Sequence, residues 1–141
     1  MNSNIIFYPV LAHIYLILWL YGLLAVRKKR AIQQGKVDRA RRPLYEDAWP
    51  DDVVVVNNSL RNQFQVPMLF YSVCFMLWAT DSVNAWVLLL SGLFVLSRYL
   101  HALVHTGPNI VRTRFRLFTI GFGITVVLGG YALVVVVLRT L

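Results

Sequence analysis

Four long apolar stretches, separated by polar connections, dominate the pattern of hydrophobic and polar positions along this chain. They cover residues 5–26, 53–79, 83–105 and 115–138. A transmembrane helix needs about 20 apolar residues, each adding about 1.5 Å, so every stretch is long enough to cross a bilayer. The pattern predicts an all-α integral membrane protein, with four transmembrane helices in a single domain over residues 1–141 and a loop at residues 27–52.

Composition supports lipid as the solvent of this protein. Of the 141 residues, 58% are hydrophobic and 14% are charged, whereas a soluble domain averages about 45–50% apolar and about 25% charged residues. A net charge of +8 can indicate nucleic-acid binding, but that function needs a basic, water-exposed folded face, and we expect no nucleic-acid partner. The single cysteine, Cys74, excludes an intrachain disulfide and a metal–thiolate cluster.

The distribution of basic residues predicts the orientation of the helices. The connection at residues 27–52 contains eight Lys and Arg residues, and a second basic cluster, Arg112, Arg114 and Arg116, follows the third apolar stretch. Basic connections stay on the cytoplasmic side of a membrane. We therefore expect both termini to be non-cytoplasmic, in a multi-pass protein of the plasma (inner) membrane. The connection is expected to be a loop against anionic lipid headgroups or a lid over a pocket.

Two stripes of polar side chains lie on the predicted second and third helices, where hydrocarbon should exclude them. At helical spacing they comprise Asn58, Arg61, Asn62 and Gln65 on one helix, and Arg98, His101 and His105 on the other. A charge at the centre of a bilayer costs at least about 2.5–3.5 kcal/mol, so both stripes must face protein or water. Both are expected within roughly 15 Å of the cytoplasmic interface, counted by helical rise.

The stripes contain more positive than negative charge, because residues 53–80 and 82–141 include no Asp or Glu. This surplus predicts a cavity for an acidic or polar-headed small molecule. The alternative is that the stripes hydrogen-bond each other and only hold the helices together. A metal site is not expected, because His101 and His105 have the spacing of two ligands but no third ligand is near them.

The two stripes also carry a family resemblance. Residues 62–67 read NQFQVP, and Arg98, His101, His105 and Arg112 stand at offsets 0, 3, 7 and 14. These positions resemble the second-helix Arg, Asn, Glu, Pro pattern and the third-helix Arg, Tyr, Tyr, Arg series of the MAPEG family, the membrane-associated proteins in eicosanoid and glutathione metabolism. The chain departs from that pattern at four positions. Asn58 stands where the family has Arg, Gln65 where it has Glu, and His101 and His105 where it has Tyr. It resembles a divergent member of the family, of bacterial type.

The resemblance implies a MAPEG-like four-helix bundle that assembles as a homotrimer and holds glutathione between neighbouring subunits. It implies a glutathione-dependent transferase or peroxidase that acts on a small lipophilic molecule, with Arg112 as the catalytic residue that stabilises the thiolate. The implied glutathione-binding residues are Asn58, Arg61, Asn62, Gln65, Arg98, His101 and His105. The departures at Asn58 and Gln65 favour the alternative, a non-catalytic lipid-binding or accessory membrane subunit that uses the same cavity.

Overall fold

The computed structural model describes residues 2–141, and all of the regular secondary structure over those residues is helical. Short 3-10 helices cover Ser3–Ile6 and Glu46–Ala48. The α-helices are α1 (Phe7–Gln33), α2 (Asp51–Asn62), α3 (Val66–Ala79), α4 (Ala85–Thr106) and α5 (Val111–Thr140). Three uninterrupted helical runs, Ser3–Gln33, Ala85–Thr106 and Val111–Thr140, are long and apolar enough to cross a membrane. The expected all-α membrane architecture is confirmed.

The second apolar stretch forms two helices, which corrects the prediction of one helix over residues 53–79. α2 ends at Asn62 and α3 begins at Val66, with Pro67 in its first turn. Proline has no N–H to donate, and its ring clashes with the carbonyl group four residues earlier, here that of Gln63. The chain therefore interrupts the helix at residues 63–65 and resumes it where proline is tolerated.

Two other helix ends lie four or more residues from the predicted bounds. α1 continues past residue 26 to Gln33, because the Lys and Arg residues that follow the apolar stretch are good helix formers and offset the helix dipole. α5 begins at Val111 rather than at 115, directly after a turn in which Asn109 has a positive φ of 53°. Arg112 and Arg114 therefore belong to the first turns of α5.

α4 is the central helix and packs against α1, α2 and α5. Its Phe94 stacks on Phe70 of α3, with ring centroids 4.0 Å apart. At the basic end of the bundle, Arg27 of α1 donates hydrogen bonds to the carbonyl groups of Asp52 and Thr106, at 2.6 and 2.8 Å. This side chain joins the ends of three helices and fixes the position of the turn that leads into α5.

Candidate functional site

A network of buried polar side chains surrounds the break between α2 and α3. Gln63 is completely buried, and its Oε1 accepts hydrogen bonds from Arg98 Nε at 3.3 Å and His13 Nε2 at 3.1 Å. Its amide nitrogen donates to the Ser59 carbonyl at 2.9 Å. The network therefore joins α1, the helix break and α4 inside the apolar part of the bundle.

The chemistry of Gln63 sets the direction of these hydrogen bonds. An amide oxygen only accepts, so His13 must carry its proton on Nε2, and its Nδ1 accepts from the Tyr71 hydroxyl at 2.5 Å. Arg98 is also completely buried, and its Nη2 donates to the Asn62 carbonyl at 3.3 Å. That carbonyl lies in the last turn of α2, where the break leaves carbonyl groups without N–H donors from a following turn. Arg98 therefore donates to a carbonyl group that would otherwise be unpaired.

A polar groove lies beside this network, between the helix break and the first turns of α5. Its volume is about 300 Å³, which is near the lower end of the range for ligand pockets. The lining residues are Asn62, Gln65, His101, Val111, Arg114, Phe115 and Phe118. Amide, imidazole and guanidinium groups from three helical segments thus meet at one concave surface.

Unused hydrogen-bonding groups lie beneath this polar groove. His101 Nδ1 donates to the Arg114 carbonyl at 3.0 Å, which leaves the Nε2 of a neutral imidazole as an acceptor. That Nε2, His105 Nδ1 and Arg98 Nη1 are buried and have no hydrogen-bond partner among residues 2–141. Buried polar atoms are usually paired with protein, water or ligand, so this floor retains capacity for polar molecules.

An apolar groove of about 730 Å³ adjoins the polar one along α5. Its lining includes Leu90 of α4 and Ile120, Ile124 and Val127 of α5. Phe115 lines both grooves, so the two share a wall. The arrangement can hold a polar molecule next to an apolar one, or a single molecule with a polar head and an apolar tail.

The structure brings five of the predicted binding residues together. They are Asn62, Gln65 and His101, which line the polar groove, and Arg98 and His105, which are buried beside residues that line it. The Arg98 guanidinium lies 5.8 Å from the Phe118 ring centroid, and the ring centroids of His105 and His101 are 5.6 Å apart. Asn58 is half-buried on α2 and does not line this groove. Arg61 forms a salt bridge with Glu46 at 2.9 Å, and Arg112 is exposed at the start of α5.

Sequence reasoning missed three residues of this region: His13, Gln63 and Arg114. Gln63 directly follows the stripe residue Asn62, but on a continuous helix its side chain would be turned by about 100° to another face. The helical period does not continue through the break after Asn62. Arg114 belongs to the same basic cluster as Arg112, and only the early start of α5 shows that Arg114 lines the groove. No signal in the sequence connected His13 of the first helix with Gln63.

Comparison with known proteins supports the resemblance noted in the sequence. The profile of the MAPEG family matches residues 5–134, a region that contains the helix break, both polar stripes and the polar groove. No curated protein and no solved structure gives a significant match. Members of the family are membrane helical bundles and generally use glutathione. The helices described above agree with that architecture, and the chain is an integral membrane protein that belongs to the MAPEG family.

Proposed function

We propose that this protein is a membrane-embedded, glutathione-dependent transferase or peroxidase that acts on a lipophilic substrate. The observation that carries the proposal is the pair of adjoining grooves, one polar and one apolar, which share Phe115. A water-soluble thiol and a lipophilic substrate need such neighbouring environments if they are to react, because each must be held by groups that match its polarity.

The side chains of the polar groove fit the functional groups of glutathione. The Arg114 guanidinium matches a carboxylate, with which Arg forms bidentate hydrogen bonds. The side-chain amide oxygens of Asn62 and Gln65 can accept hydrogen bonds from the ammonium group. His101 lies at the floor, where its ring adds a polar surface. Glutathione is therefore proposed as the co-substrate, which supplies the nucleophilic thiol when bound.

Arg112 is proposed as the catalytic residue. It is exposed on the first turn of α5, two residues before Arg114, and does not line the polar groove of its own chain, so it would act on glutathione bound beside a neighbouring subunit of the homotrimer. A guanidinium next to a thiol lowers the pKa of that thiol, because the positive charge favours the thiolate, which is the reactive form. Arg112 would thus stabilise the thiolate while Arg114 binds a carboxylate, and the two arginines would have separable effects on reaction and affinity.

The other predicted residues enter the proposal in two ways. Arg98 and His105 support the groove, since both are buried next to residues that line it, Phe118 and His101 respectively. Asn58 and Arg61 lie outside the groove of one chain and belong to the proposal through a neighbouring subunit of a homotrimer. In a mild detergent, native mass spectrometry should give a species of three times the 16.2 kDa chain mass. A monomer alone would remove Asn58, Arg61 and Arg112 from the site.

Titration calorimetry of the purified protein with glutathione tests the binding step. We expect heat at millimolar glutathione for the native chain and about tenfold weaker binding for Arg114→Ala, because a charge-assisted hydrogen bond contributes about 1.5–3 kcal/mol. Arg139→Ala is the matched control, since it removes the same charge near the end of α5. Absence of heat with the native chain would reject glutathione as the co-substrate.

Thiolate absorbance of bound glutathione tests the role of Arg112. We expect a thiolate signal near neutral pH in the native chain and its loss in Arg112→Ala, with glutathione affinity almost unchanged. Conjugation of an aromatic halide and reduction of a lipid hydroperoxide should decrease with the thiolate signal. If the signal persists in Arg112→Ala, another group stabilises the thiolate.

A second candidate function is non-catalytic binding of a lipid in the same grooves. The observation that favours it is the lining of the polar groove, which includes no carboxylate group in the region that the structure describes. Gln65 occupies the position where the family pattern has Glu, so a phosphate or fatty-acid head would meet no repulsion there. Lipid that copurifies with the native chain but not with Arg114→Ala, together with no heat from glutathione, would support this function over catalysis.

A further inference from the structure

A separate cleft lies at the basic end of the bundle, away from the two grooves along α5. It is about 320 Å³ in volume and opens between the end of α1, the connection before α2 and the first turns of α2. Its lining residues are Lys28, Arg42, Pro43, Leu44, Tyr45, Glu46, Trp49, Val53, Val54 and Asn57. None of them lines the polar groove of the proposed function, so the cleft and that groove share no lining residue.

The free charge in this cleft is positive. Its only acidic residue, Glu46, is neutralised by Arg61, whose two Nη atoms lie 3.0 and 2.9 Å from the carboxylate oxygens, and Asn57 donates a further hydrogen bond at 3.1 Å. Lys28 and Arg42 have no carboxylate within salt-bridge distance anywhere in residues 2–141. Two cations from different segments therefore face one concavity without a counter-charge.

The cleft also has an apolar side, close to the end of the apolar stretch of α1. Lys28 follows the apolar stretch of α1 almost directly, and its ammonium lies 4.9 Å from the Trp49 ring centroid. Trp is typical of the membrane–water interface. Leu44 and Val54 complete a wall suited to the first methylene groups of a lipid. A ligand with an anionic head and an apolar attachment would meet complementary groups at both ends.

We propose that this cleft binds a phosphate group between Lys28 and Arg42, and that the phosphate is the headgroup of an anionic phospholipid from the adjacent leaflet. Arg offers a planar set of donors that matches phosphate oxygens, and Lys adds a compact positive charge. Basic residues next to a membrane gain about 1 kcal/mol each from an anionic surface. The concave shape and the paired Glu46 make this a defined site rather than a diffuse basic surface.

Native mass spectrometry of the full chain released from lipid nanodiscs tests the proposal. In phosphatidylglycerol nanodiscs we expect one retained lipid per chain, and in phosphatidylcholine nanodiscs none. The double variant Lys28→Gln/Arg42→Gln should retain at least about fivefold less phosphatidylglycerol, since two charge-assisted contacts are lost. The control Lys29→Gln/Arg39→Gln removes the same charge at exposed positions outside the cleft and should retain the native amount.

Equal retention by the native chain and the cleft variant, or equal loss in the cleft and control variants, would overturn the proposal. If the double variant does not fold, Arg42→Gln alone carries the test, because Arg42 is an exposed loop residue and its loss should still reduce retention. A further arm adds inorganic phosphate to the protein in detergent. Displacement of retained lipid by phosphate supports a phosphate site, and phosphate binding without any lipid retention identifies the soluble ion as the ligand instead of the lipid.

Discussion

Gln63 connects three parts of the chain through one side-chain amide. It holds His13 of α1 and Arg98 of α4 at the break between α2 and α3, and its own nitrogen is paired with the Ser59 carbonyl. A buried guanidinium without partners is costly, because its desolvation is not compensated. We infer that Gln63 makes the burial of Arg98 tolerable and so keeps Arg98 beside the polar groove.

Replacement of Gln63 by Leu tests this role at the scale of one residue. Leu removes the acceptor for Arg98 Nε and His13 Nε2, so we expect the free energy of unfolding to decrease by about 2–3 kcal/mol. The measurement is reversible unfolding in mixed detergent micelles. Gln65→Leu is the control, because Gln65 is exposed and its replacement should change stability by less than about 0.5 kcal/mol. Similar losses in both variants would contradict the network's importance.

The packing of α5 against α4 depends on a glycine, Gly121, at the contact between the two helices. A Cβ atom added at Gly121 would lie 2.9 Å from Ser97 Oγ and 3.6 Å from Arg98 Cδ. Ser97 Oγ is itself fixed by a hydrogen bond to the Phe94 carbonyl at 2.7 Å, and Ser97 is buried. Gly121 therefore allows α5 to approach α4 closely, in the manner of small residues in membrane helix pairs.

Gly121→Ala is expected to push α5 away from α4 and to reduce the free energy of unfolding by about 1–3 kcal/mol, the usual cost of overpacking. The same change at Gly123 is a matched control on the same helix, because a Cβ there has no neighbour within 4 Å. Gly123→Ala should be neutral or slightly stabilising, since Ala is the better helix former. Unfolding of both variants in detergent measures the difference, and a Gly121→Ala protein as stable as the control would disprove close packing at this site.

At the scale of the whole molecule, the basic connection and the termini are expected on opposite sides of the membrane. The positive-inside rule places the segment after α1 in the cytoplasm and both termini outside. Single cysteines can report this, because the native Cys74 is completely buried and should not react. In intact bacterial cells that express the protein, a membrane-impermeant maleimide should label Asn2→Cys and not Gln34→Cys.

The two labelled positions are both exposed, so a difference in reaction reports sidedness rather than burial. After cell lysis, both variants should react, which serves as the control for reactivity. Labelling of Gln34→Cys in intact cells would reverse the proposed orientation, and with it the leaflet that supplies lipid to the cleft at Lys28 and Arg42.

The helix break and the polar groove show where prediction from the sequence stops. The stripe that contains Arg61 and Gln65 was predicted from the period of an unbroken helix, yet Pro67 interrupts that helix and the two side chains lie in different surroundings. The stripe of Arg98, His101 and His105 lies on one uninterrupted helix, and the structure buries all three residues as expected. Periodicity is thus informative only within a continuous helix.

The sequence by itself determined the solvent, the helical fold class and the family of this protein. Hydropathy and composition are sums over many residues, and the family match extends along most of the chain. None of these three properties depends on any one contact. Only the tertiary structure decided that His13 and Gln63 join Arg98, and that Arg114 lines the polar groove. Those choices depend on helix ends and on the rotation of helices about their axes, where a shift of one residue turns a side chain by about 100°.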